Sequence, residues 1–123
     1  MTRARLNDQA TVLLTNSRPA PPIEVQPRTS MHDWRIIEFD DGRSLVGFLE
    51  NGFTCRLTTE IASIDLSARQ VRTSSGRLYE LLGPPASEPE RLAVIAAHLV
   101  ASVGSPWIDV TDSAWTAMCR ITA

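Results

Sequence analysis

A chain of 123 residues, 43% hydrophobic and 21% charged, has the length and composition of one globular domain, able to bury roughly two thirds of the surface it exposes when unfolded. A formal net charge of −2 disfavours indiscriminate binding to nucleic acid or anionic membrane, and no stretch approaches the ~18 apolar residues of a membrane span. Cys55 and Cys119 are too few for a disulfide framework, and the apolar run Thr11–Leu14 is too short for the core of a secretion signal, so a cytoplasmic location is expected.

Residues 1–33 read as a flexible, proline-rich N-terminal segment. Pro19, Pro21, Pro22 and Pro27 remove backbone donors and favour extended, polyproline-like chain. Ala10–Leu14 is a candidate edge strand or helical turn. Met31 offers an alternative start, which would make the preceding residues dispensable.

Residues 34–123 read as a single α+β domain. Trp34–Phe39 is apolar and β-prone, and Asp40-Asp41-Gly42 marks a hairpin in which Gly supplies the positive φ. Arg43–Glu50 is the next strand, ended by Asn51-Gly52. Phe53–Thr59 alternates, with Phe53, Cys55 and Leu57 on one face and Thr54, Arg56 and Thr58 on the other. Ile61–Leu66, Arg69–Thr73 and Arg77–Leu82 follow, separated by Ser67-Ala68 and Ser74-Ser75-Gly76, and Gly83-Pro84-Pro85 stops the sheet. The expectation is an antiparallel β-meander or small, partly open barrel of about six strands, with one capped amphipathic helix packed on it.

In the second strand Leu45, Gly47 and Leu49 share one face, Val46 and Phe48 the other. Both faces are apolar, so the strand should be covered on both sides, with Gly47 allowing close approach or a bend. The helix is predicted over Glu88–Val103. Ser87 and Glu90 have capping-box spacing, Pro89 suits the first turn, and Leu92, Ile95, Ala96, Leu99 and Val103 form the stripe. Gly104 is the candidate left-handed C-terminal residue. Trp107–Val110 is a candidate last strand, and Asp112 or Ser113 a candidate cap for a short helix holding Trp115 and Met118.

His32, Asp33, His98, Cys55 and Cys119 show no metal-ligand spacing, so neither metal nor cofactor is expected, and His98 reads as a solvated residue. Asp40-Asp41 is explained by turn chemistry, and no serine sits in a nucleophile elbow. With no catalytic constellation, the reading is non-enzymatic. All twelve basic residues are arginine, which codon bias accounts for, but the arginine positions still give a lead. Arg56 and Arg72 should project from the non-core faces of their strands, and Arg43 and Arg77 open strands after turns. Such a face suits an acidic protein partner, a nucleic-acid strand or a small phosphate-bearing ligand; the competing expectation is a solvated face whose charges pair with Glu50, Glu60, Asp65 and Glu80. Trp107 and Trp115, close to the C-terminus, are expected to be partly exposed, and with the two-faced second strand they point to a homodimer or partner surface.

The stretch Thr58-Thr59-Glu60-Ile61, Ile64-Asp65 and Arg69–Leu81, with its Ser74-Ser75-Gly76 turn and Tyr79-Glu80-Leu81 strand, resembles a strand–Ser-Gly–strand motif of small uncharacterised bacterial and prophage accessory proteins. It spans about a fifth of the chain. The resemblance implies a small accessory β-domain and, by analogy, an inhibitor or adaptor that binds a host protein. It carries no catalytic residues.

Overall fold

The computed structural model describes residues 20–104 and 106–122. The chain is α+β: β1 (Arg28–Phe39), β2 (Gly42–Leu49), β3 (Cys55–Asp65), β4 (Gln70–Thr73), β5 (Leu78–Leu82), α1 (Pro89–Ser102), β6 (Ile108–Asp109) and α2 (Thr111–Thr122). Strands β1 to β5 follow one another as antiparallel neighbours. An up-and-down run of five leaves the first and last pointing the same way, so the pairing that joins β5 back to β1 is parallel, Arg28 opposite Leu78 through His32 opposite Leu82. The result is a ring rather than a regular barrel, with β6 added antiparallel to the far end of β1.

Several boundaries differ from those expected. The first strand starts at Arg28, not Trp34, and Met31 is fully buried, so residues 28–33 belong to the sheet. The candidate element Ala10–Leu14 lies outside the described residues. In the first hairpin the left-handed residues are Asp40 and Asp41, at φ 52° and 63°, while Gly42 is already paired with Phe39. Positive φ at both central residues is the two-residue turn that matches strand twist, and short polar Asp tolerates it. The second hairpin is longer than Asn51-Gly52 alone: Asn51 Oδ1 accepts from the N–H groups of Phe53 and Thr54, both at 2.9 Å, and Phe53 stands out in solvent at 72% exposure.

The third and fourth expected strands are one, β3. A bulge accommodates what the sequence made look like a break. Val46 pairs with Leu57 but Ser44 pairs with Glu60, so β3 has one extra residue there. Thr58 fills the gap: its hydroxyl accepts from Leu45 N at 3.0 Å and donates to Thr59 O at 2.7 Å. A second bulge, in β1, has Asp33 at φ 48°. Gly47 of β2 lies against it, where a Cβ would stand 2.8 Å from both Met31 Cγ and Trp34 Cα, so close approach is why this position has no side chain.

β2 is covered on both sides. On one side Leu45 joins Met31, Trp34, Ile36, Val71, Tyr79, Leu81 and Met118, with Trp115 and Ala114 of α2 packed against them. On the other, Val46 and Phe48 join Ile37, Cys55, Ala86 and the α1 residues Ile95 and Leu99. α1 reaches its place because the segment before it is stitched to β1: Trp34 Nε1 donates to Gly83 O at 3.1 Å, and Ala86 N to Trp34 O at 3.0 Å. That entry makes Glu88 the residue flanking the helix, without a side-chain cap, so the Ser87–Glu90 capping box does not form. Pro89 does occupy the first turn. The helix ends on extended Val103, and Gly104 is not left-handed. Its inward face is Ile95, His98 and Leu99, with Val94 beside them, whereas Leu92 and Ala96 of the expected stripe are exposed. α2 is a second full helix, which fixes Trp115 and Met118; at its first residue, Thr111 Oγ1 accepts from Ile36 N at 2.8 Å.

Candidate functional site

Of the six residues singled out as partner-binding, the fold brings two together. Arg56, second residue of β3, and Arg77, which leads into β5, line one cavity of about 660 Å³ between the β3 edge, the Ser75–Arg77 turn, the C-terminal half of α1 and the segment Ala20–Ile23. Neither side chain is exposed: Arg56 keeps 9% of its surface and Arg77 4%, so the expected projection into solvent is overturned at both positions. The cause is a segment distant in sequence: the chain ahead of β1 folds across both, with Gln26 on Arg56 and Gln26 and Pro21 on Arg77.

The other four lie elsewhere. Arg43 is exposed and pairs with Glu38 at 3.4 Å along the first hairpin. Arg72 is exposed and donates to Gly76 O at 2.7 Å, closing its own turn. Trp107 is half-buried against the α1 side of the core. Trp115 is half-buried, edge-to-face with Trp34 at 5.9 Å between centroids and 69°, with the Arg69 guanidinium 4.8 Å above it.

Inside the cavity the two arginines meet neutral oxygens. Arg77 Nε donates to Gln26 O at 2.7 Å and Nη2 donates to Pro21 O; Arg56 Nη1 donates to Gln26 Oε1 at 3.1 Å. Among the described residues no carboxylate forms an ion pair with either, although Arg28, Arg35, Arg43 and Arg91 all have one. Guanidinium stays protonated in proteins, so two positive charges are held away from water with only dipoles to offset them. That is a several-kcal/mol desolvation problem for each ion, and the usual answer is an anion.

His98 completes the wall. Sequence reading placed it in solvent; it is 4% exposed, faces inward between Ile95 and Leu99, and lines the same cavity. Burial pushes its pKa below the ordinary imidazole value, so near pH 7 the ring is neutral and can donate or accept according to tautomer. Its Nδ1 and the Nε of Arg56 are buried without a hydrogen-bond partner among the described residues. Buried polar atoms without a partner are few in native proteins, and each calls for a physical reason. The signal for His98 was available: residues 92–103 contain no charge, and His98 sits three positions after Ile95 on the face that packs. The parts played by Pro21 and Gln26 were not legible, since a proline-rich segment gives no periodicity from which to place it.

Cys55, the one described thiol in the core, has its pKa pushed up to about 12 by burial, which the Arg91 charge only partly counters, so it is a protonated apolar filler rather than a nucleophile. Among the described residues no cluster of three or more His, Cys, Asp or Glu could hold a metal ion, and no helix is long and apolar enough to cross a membrane. Searches against protein-family models, curated proteins and solved structures returned no match.

Proposed function

We propose that the protein is a non-enzymatic binding domain that takes a small ligand bearing an oxyanion, carboxylate or phosphoryl, between Arg56 and Arg77. The observation that carries this reading is the pair of buried guanidiniums in one cavity with only neutral partners among the described residues. The cavity volume falls within the range of small-molecule sites. Ile23, Leu57 and Tyr79 offer apolar wall for the ligand body, with Ser75, His98 and Ser102 as polar lining. A nucleic-acid strand fits less well, because Arg43 and Arg72, the two of the four candidate arginines that remain exposed, are engaged within their own hairpins.

The test is titration with inorganic phosphate and with acetate, followed by the arginine Nε–H resonances. Saturable shifts of Arg56 and Arg77 are expected with at least one anion, and Arg56→Gln should weaken binding by tenfold or more. Linear, unsaturable drift with both anions would sink the reading.

One observation favours a second reading, in which the domain docks a host protein or a second copy in the cytoplasm, as the inhibitor or adaptor implied by the strand–Ser-Gly–strand resemblance would. The outer face of α1 carries Leu92, Ala93, Ala96 and Val100, all exposed, and no charged residue lies between Leu92 and Val103. A helix apolar on both faces is ordinarily covered. Both cysteines are free, in keeping with a reducing compartment. Sedimentation of the wild type against Val100→Glu tests the second-copy form: a dimer lost on substitution supports it, and a monomer at all concentrations removes it.

A further inference from the structure

Arg56 and Arg77 are linked through one residue. Gln26 gives its side-chain Oε1 to Arg56 Nη1 and its main-chain oxygen to Arg77 Nε. The geometry points to Gln26 as an internal competitor for the ligand: its amide oxygen holds the Arg56 donor that a carboxylate or phosphoryl oxygen takes on binding. This inference rests on the reading of the cavity as an oxyanion site.

The two contacts of Gln26 differ in kind. The main-chain contact belongs to the tether that holds the segment Ala20–Pro27 against the ring. That segment has few other attachments. It makes its own turn, with Val25 N and Gln26 N both donating to Pro22 O, and meets the sheet where Leu78 N donates to Pro27 O. Pro21, Pro22 and Pro27 have no N–H to offer a strand, so Arg77, reaching Pro21 O and Gln26 O, supplies donors in their place. The side-chain contact is separable from this. Removing the Gln26 amide leaves both Arg77 bonds intact and touches only Arg56.

The exchange is favourable in direction. A neutral amide oxygen is a weaker partner for guanidinium than an oxyanion, which adds full charge complementarity to the same hydrogen bond and can take two donors at once. An oxyanion that displaces Gln26 Oε1 from Nη1 can engage Nη2 alongside it, since those two nitrogens share one edge of the guanidinium and give the two-pronged geometry it prefers. The amide oxygen offers only the one contact at 3.1 Å. Gln26 thus sets how tightly the site binds and keeps Arg56 oriented until ligand arrives.

Two substitutions at this position separate competition from a packing role, because they carry opposite signs. Gln26→Ala removes the competitor and should bind the preferred anion about tenfold more tightly. Gln26→Glu puts an intramolecular carboxylate on Arg56, and should bind at least tenfold more weakly while raising the thermal midpoint of the ligand-free protein. Inorganic phosphate and acetate are the probes, followed on the full chain by the Arg56 Nε–H resonance; which of the two saturates first distinguishes a phosphoryl from a carboxylate source. If the wild type binds and Gln26→Ala binds equally or more weakly, the competitor role is overturned while the oxyanion site stands. If neither the wild type nor Gln26→Ala binds either probe, the oxyanion site and the competitor role fall together.

Discussion

The two sides of β2 are built to different standards. On the α2 side, Met31, Trp34, Leu45, Val71 and Met118 interlock with essentially no exposed surface, and the indole N–H of Trp34 is satisfied by Gly83 O. On the α1 side, Val46, Phe48 and Leu99 pack as well, but the layer gives way at its edge to Arg56, His98 and a cavity. A fold that needed only stability would not place two charges and an unpartnered imidazole there, since burying apolar groups of the same shape is neutral or better. The first side is sealed apolar core; the second places buried polar groups beside a cavity.

That contrast can be broken by measurement. The largest effect is expected from Trp34→Ala, which empties the centre of the α2-side core and should destabilise by about 3–5 kcal/mol in urea unfolding. A loss under about 1 kcal/mol would show that this side is not the stabilising one. Arg56→Met should change stability by only about 1 kcal/mol in either direction, because the lost contact to Gln26 is set against removal of an unpaired charge. A loss of 3 kcal/mol or more would make Arg56 a structural residue and erase the distinction between the two sides.

The smallest effect is in pH dependence. The folded-state pKa of His98 is depressed by burial, so between that value and the ordinary imidazole value of about 6.5 the unfolded chain binds the extra proton and the folded chain does not. Stability therefore rises with pH through this window and falls as the solution is acidified below about 6.5. His98→Gln should flatten that slope, and an unaltered slope in the variant would assign it to other groups. Asp109 acts at lower pH. Burial alone would raise its pKa, but hydrogen bonds from Arg35 and Thr111 outweigh this and lower it, so its contribution is lost only as pH falls through the acidic carboxylate range.

Much of the local structure could be read from residue types because its causes are local. Asp40-Asp41-Gly42, Ser74-Ser75-Gly76 and Gly83-Pro84-Pro85 restrict φ and donors within a few positions; the first two form turns and β5 ends at Leu82, just ahead of the third. Gly47 was marked as a point of close approach, and Met31 and Trp34 occupy the space its side chain would need. The apolar residues on both faces of β2 called for two layers, and two are present.

What the tertiary structure decided concerns partners far apart in the chain. Glu60 separates the expected strands Phe53–Thr59 and Ile61–Leu66; at the bulge beside it Leu45 N donates to the Thr58 hydroxyl, thirteen residues away, and β3 runs through. Arg56 and Arg77 looked solvated because charge on a strand face is usually exposed, and only the return of Pro21 and Gln26 across the ring buries them. Alternation, turn chemistry and helix periodicity act over a few residues, so the chain alone specifies its elements. A buried charge is defined by what closes over it, and here that is a segment 30 residues from Arg56 and 51 from Arg77, as separated by the contacts of Gln26.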